Sequence, residues 1–185
     1  MAIGAPTATL IAAVVGFFSG ASVALIQVQY QRSQERKSLK AALAAEIRAI
    51  LSIVEGRDYI ADLEKFIASI DANDLYQVRI ARDYDIVFRS NCNKIGLLPA
   101  DLSERVVRFY YLIASAIEDI RLLVDANASP ELRFAYRLDT AEGNRIFHQN
   151  LLDISRQAIA RGSTLATELA GPNRREYVRD RNRTS

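Results

Sequence analysis

From Ala2 to Gln31 the chain carries no charged side chain. Within that stretch, Ala8 to Val28 (ATLIAAVVGFFSGASVALIQV) is a largely apolar run of 21 residues. As a helix rising ~1.5 Å per residue it reaches about 30 Å, the thickness of a bilayer's hydrocarbon core. A helix satisfies its own backbone hydrogen bonds, so such a segment is compatible with lipid. The run exceeds the roughly 7–15 residues of a signal-peptide apolar region, and no basic stretch precedes it. The expectation is a retained, single N-terminal transmembrane helix.

The flanks set its orientation. Arg32, Arg36, Lys37 and Lys40 stand against Glu35 just after the run, a net of +3, whereas the residues before it carry only the terminal amine. The positive-inside rule places the N-terminus outside and the remainder in the cytoplasm, here of a bacterial inner membrane. A single cysteine, Cys92, excludes an intramolecular disulfide and suits a reducing compartment. Ala12, Gly16, Gly20 and Ala24 recur every fourth position and contain a GxxxG. That stripe lets a second helix approach closely, so the expected partners are membrane lipid and another membrane protein, or a second copy, packed on this face.

Beyond residue 31 the apolar spacing is helical, with almost no strand alternation. Leu39, Leu43, Ile47, Ile50 and Val54 step by three or four, and Ile60, Leu63, Ile67 and Ile70 continue the pattern past Gly56. This predicts one helix over 32–70, about 58 Å long, with a weak point at Gly56. Tyr76, Ile80, Tyr84, Val87 and Phe88 fit one face of a second helix. Asp101 and Glu104 have capping-box spacing at the start of a third, which carries Leu102, Val106, Phe109, Ile113, Ile117, Ile120 and Val124. Ser129 and Pro130 open a fourth as N-cap and first residue, with Phe134, Leu138, Ile146, Leu151, Ile154, Ile159, Leu165 and Leu169 facing inward. It spans about 61 Å to Gly171-Pro172, and Gly143 is a position at which it could kink.

The expected fold is all-α: the transmembrane helix, then an antiparallel cytoplasmic bundle of about four helices. The expected division is 1–31 for the tail and transmembrane helix, 32–171 for the bundle and 172–185 for a basic tail. Arg174, Arg175, Arg179, Arg181 and Arg183 against Glu176 and Asp180 make that tail +3, while residues 41–171 hold 15 basic and 19 acidic side chains. Arg174, Arg175 and Arg179, with Arg32, Arg36, Lys37 and Lys40, are candidate contacts to anionic lipid.

Catalytic chemistry has little to stand on. His148 is the only histidine, so histidine-rich metal sites and His-centred triads lack members. There is neither a GxxxxGK[ST] loop nor a GxGxxG turn. The arginines of the tail have no aromatic platform beside them, so nucleic acid is not an expected partner. No cofactor, metal or small-molecule substrate is expected.

Asn91-Cys92-Asn93-Lys94-Ile95-Gly96-Leu97-Leu98-Pro99, followed by Val107-Arg108-Phe109-Tyr110, resembles a group of bacterial and phage-borne proteins with an N-terminal membrane helix. These share an N-x-x-K-I-G-x-L-P corner and a V-x-F-Y helix, and the resemblance covers roughly residues 40–125. It implies a membrane-anchored helical domain and no particular activity. The corner reads as structural: Gly96 caps a helix in the left-handed conformation, Leu97 and Leu98 plug the core, and Pro99 turns the chain. On that reading Gly96→Val destabilises the domain. The leading expectation is a non-enzymatic single-pass membrane protein serving as scaffold, adaptor or accessory subunit. The alternative is a membrane signal-transduction component relaying a change through the juxtamembrane helix.

Overall fold

The computed structural model describes the backbone of residues 5–72, 74–80 and 83–171, with side chains described at residue 23 and from 25 onward. Those residues form six α-helices and one 3-10 turn, with no strand among them. Helix α1 runs Ala5–Gly56, α2 Tyr59–Ser69, α3 Ile86–Ser90, α4 Ala100–Ala128, α5 Pro130–Ala135 and α6 Ala141–Ala170, with the 3-10 turn at Cys92–Leu97. The all-α expectation is met. The chain divides into two compact units, Met1–Leu39 and Lys40–Ser185.

In the first unit the side chains of Val23, Leu25, Ile26, Val28 and Tyr30 are exposed, as are Arg32, Arg36 and Lys37. Among the described residues no helix is long and apolar enough to cross a membrane. Most of the apolar run at 8–28 falls where side chains are not described, including Ala12, Gly16, Gly20 and Ala24.

In the second unit three helix segments form the core. Leu43, Ile47 and Ile50 of α1, Val106, Phe109 and Ile113 of α4, and Leu151, Ala158 and Leu165 of α6 are buried. Cross-contacts fix the directions. Arg48 donates to the Ala166 carbonyl at 3.4 Å, and Arg105 near the start of α4 pairs with Glu168 at the end of α6 at 2.7 Å. So α6 runs antiparallel to both, and its last turn lies beside the start of the unit. Gly162 is where α6 comes closest: a Cβ there would stand 2.6 Å from the Phe109 ring and 3.3 Å from Leu51.

Four expectations are corrected. The single helix over 32–70 is two, parted at the weak point read at Gly56: α1 ends there and the chain turns through Asp58 at φ 51° before α2. The second helix is not helical at its described residues before Ile86. Its Tyr76 amide is bonded to α6 instead of to a carbonyl one turn back, and a residue spacing cannot register a partner that far along the chain. The fourth helix breaks between Ala135 and Ala141, not at Gly143; Arg137 adopts φ 58°, and Thr140 restarts the helix by accepting from the Gly143 amide at 3.2 Å. The break turns Phe134 outward, and Ile146 is also exposed.

The fourth correction is the corner. Gly96 is not left-handed, and a Cβ on it would meet nothing within 4 Å. The turn is held by Ser103, whose hydroxyl donates to the Ile95 carbonyl at 3.0 Å, and by buried Leu98. Pro99 does precede α4 with extended backbone, but Asp101 pairs with Arg105 instead of forming a capping box. Ser129 and Gly171 act as read: Ser129 Oγ accepts from the Leu132 amide at 3.3 Å, and Gly171 ends α6 at φ 71°.

Candidate functional site

The described residues of the segment between α2 and α3 are neither helix nor strand, and their polar backbone has to be satisfied from elsewhere. At one end α6 does this. Asn144 donates through its side-chain amide to the carbonyls of Asp71 and Asp74 at 3.0 and 2.6 Å. One turn on, His148 Nε2 accepts from the Tyr76 amide at 3.2 Å while Nδ1 bonds the Asn144 carbonyl at 2.9 Å. The acceptor role of Nε2 places the single proton on Nδ1 and makes the ring neutral. Both side chains are fully buried, and Phe66 packs against the imidazole at 5.0 Å between ring centres.

Burial pushes the His148 pKa below its ordinary 6.5, opposed in part by the hydrogen bond to the Asn144 backbone. The consequence for stability has a definite sign. Below pH about 6.5 the unfolded chain takes up a proton that the folded ring refuses. Stability is therefore fully present above that pH and falls as the pH drops toward the lowered folded value, by up to about 1.4 kcal/mol per unit. Urea midpoints at pH 7.5 and 5.5 should differ in the natural chain by more than in His148→Gln; equal differences would refute the role.

At the other end of the segment Glu46 of α1 reaches across to α3. Its two carboxylate oxygens accept from the Val87 and Phe88 amides at 2.6 and 3.0 Å and from the Tyr110 hydroxyl at 2.6 Å. Asp85, at the cap position of α3, makes no capping bond with its side chain, so the first turn of that helix is capped by a residue 41 positions away. The Tyr110 and Phe88 rings stack at 4.0 Å. Burial, then the bond to Glu46, raises the Tyr110 pKa, so the phenol stays a donor at any physiological pH.

Between these two anchors lies a cavity of about 180 Å³, floored by Ile113, Ile117 and Ile120 of α4 and walled by Ile60 of α2, Val78 of the non-helical segment and Ile159 of α6. At its mouth Arg57 donates to the Tyr59 hydroxyl at 2.9 Å and to the Arg79 carbonyl at 3.4 Å. Its guanidinium also lies over the Tyr59 ring at 5.9 Å.

This cavity and its rim were not read from the sequence. The rim joins Arg57 to Arg79, residues without a motif between them, and the walls come from four helices and a non-helical segment. The residues singled out from sequence fall elsewhere. Arg32, Arg36 and Lys37 are exposed in the first unit, and Lys40 is half-buried. The Arg174, Arg175 and Arg179 positions lie outside the described residues. Cys92 is exposed on the 3-10 turn, donating to the Phe88 carbonyl at 3.3 Å. Gly96 lies within that turn and Pro99 just after it, and neither lines the cavity. Among the described residues no group of three or more His, Cys, Asp or Glu side chains is placed to hold a metal ion. Comparison with known proteins found no matching family model, no matching curated protein and no matching solved structure.

Proposed function

We propose that the chain is a non-enzymatic single-pass membrane protein whose helical unit serves as scaffold, adaptor or accessory subunit of a membrane-associated assembly. The observation that carries the reading is the exposure of the α1 side chains described between Val23 and Tyr30. Val23, Leu25 and Ile26 are 64%, 67% and 69% exposed. At about 100° per residue they point in three different directions, so no single neighbouring face covers them. In water each would forgo roughly 1.5–3 kcal/mol of burial. A bilayer surrounds such a helix on all sides, and Arg32, Arg36 and Lys37 then fall where anionic headgroups would meet them. The uncharged sequence that precedes Val23 extends the same apolar character.

An adaptor also needs side chains to offer. Tyr111 stands exposed on α4 beside Val107, and Phe134 stands exposed on α5. Aromatic anchors of this kind contribute disproportionately to protein interfaces.

Alkaline-washed membranes should retain the intact chain, and Gly16→Arg should lower that retention, because a charge at mid-span costs roughly 2.5–3.5 kcal/mol. Recovery of the intact natural chain in the supernatant would overturn the anchor. Cys92, exposed and the sole thiol, reports orientation. A membrane-impermeant maleimide should label it only after lysis. Purification in mild detergent as a monomer without partners at native expression would count against the scaffold.

A further inference from the structure

Folded interiors are packed as densely as organic crystals, and voids larger than a water molecule are few. The cavity between α1, α2, α4, α6 and the non-helical segment that joins α2 to α3 departs from that rule. Its volume of about 180 Å³ is of the size that accommodates one aromatic ring or a short hydrocarbon chain. Its lining is dominated by isoleucine and valine, and the only charged side chains among the described lining residues are Arg57 and Arg79, both at the rim. The nearby carboxylates Glu55, Asp58 and Glu64 border a different depression, shared with Arg156.

The rim is built as well as charged. Arg57 is held by Tyr59 through a hydrogen bond and through the ring beneath it, and the Tyr59 hydroxyl itself donates to the Arg79 carbonyl at 3.3 Å. The acceptors shown for Arg57 are a phenol oxygen and a backbone carbonyl, both neutral. A guanidinium has five N–H donors, so most remain for a ligand. Among the described residues neither Arg57 nor Arg79 has a carboxylate within ion-pairing distance. An apolar chamber closed by an oriented cation with spare donors selects ligands with the complementary layout: a hydrocarbon body and one anionic end.

We propose that this cavity is a binding site for a small amphiphilic carboxylate, its hydrocarbon body among Ile60, Val78, Ile117 and Ile159 and its carboxylate on Arg57 and Arg79. This goes beyond the scaffold reading and does not depend on it, since every residue of the site lies in the unit from Lys40 onward. It gives the helical unit a small-molecule input.

The test uses the full chain in lipid nanodiscs, with empty nanodiscs as the blank, titrated with octanoate and with 1-octanol by calorimetry. Octanoate should bind saturably at one site per chain, and octanol, with the same tail and no charge, roughly tenfold more weakly. Arg57→Gln, a change at an exposed position, should bring octanoate down to the level of octanol. Ala116→Leu, which fills the floor, should remove binding of both, with circular dichroism showing that the helices remain; if it unfolds, the Arg57→Gln comparison decides alone. Absence of saturable octanoate binding, equal affinity for acid and alcohol, or an unchanged preference in Arg57→Gln would each overturn the proposal.

Discussion

Gly143→Ala should destabilise the helical unit by about 3 kcal/mol or more, although the substitution improves intrinsic helix propensity by nearly 1 kcal/mol. The steric effect wins because of what lies over α6 at this point. A Cβ on Gly143 would stand 2.2 Å from the Arg137 carbonyl oxygen, 2.7 Å from Arg137 Cβ and 2.9 Å from Thr140 Oγ1. The first of these is backbone and cannot rotate away. Arg137 is itself held at φ 58°, a conformation a non-glycine residue adopts only under constraint, so the turn has little freedom to retreat. The expected shift in melting temperature is roughly 6–12 °C. Gly96→Val provides the contrast: with open space around the Cβ and ordinary backbone, it should change stability by less than about 0.5 kcal/mol. Thermal or urea denaturation of the two variants side by side reads both numbers, and a Gly143→Ala protein as stable as the natural one would refute the packing argument.

These two glycines also show what a sequence can and cannot convey. The spacing of Leu102, Val106, Phe109 and Ile113 reports a buried helix face because the helix repeat brings those residues together without help from elsewhere, and all four are buried. Ser129-Pro130 and Gly171 were legible for the same reason: a cap acts within its own turn. Gly96 and Gly143 are the same residue type in helix-like surroundings. Only the second is required, because the segment 136–140 folds back over it. A signal for that break was present in Asp139-Thr140-Ala141-Glu142, a polar N-cap followed by an acidic first turn, but it competed with an apolar spacing that runs on from Leu138 to Leu151. The non-helical segment between α2 and α3 was harder to see. Tyr76, Ile80 and Tyr84 have helical spacing, yet they line a cavity wall and none of them is in a helix. The start of that segment is held by bonds from residues 70 to 73 positions away: His148 to the Tyr76 amide, and Asn144 to the carbonyls of Asp71 and Asp74. The arginine rim of the cavity was invisible because Arg57 and Arg79 are adjacent only in the folded chain.

The first turn of α3 depends on an acidic residue of α1, Glu46, and Glu46→Gln should cost about 3–4 kcal/mol. The carboxylate receives three donors on two oxygens, two of them backbone amides that have no other acceptor in the first turn of α3. A glutamine offers one acceptor oxygen and turns an N–H₂ toward the remaining donors, so at least one of them is left unsatisfied; that alone costs about 1–3 kcal/mol, on top of the lost charge-assisted bonds. Tyr110→Phe removes a single donor and should cost only about 1–2 kcal/mol. Combined, the two changes should be less than additive by about 1 kcal/mol, because the glutamine no longer opposes the phenol once the hydroxyl is gone. Hydrogen exchange separates this account from a general loss of packing. In Glu46→Gln the Val87 and Phe88 amides should lose protection first, while the amides of α4 and α6 keep theirs under conditions where the unit is still folded. Because Val78, Arg79, Ile80 and Tyr84 lie just before α3 in the chain, releasing α3 also loosens that wall of the cavity. Octanoate affinity should then fall in Glu46→Gln even though Glu46 does not line the site, and uniform exchange across the whole unit, or stability within 0.5 kcal/mol of the natural chain, would remove Glu46 from this role.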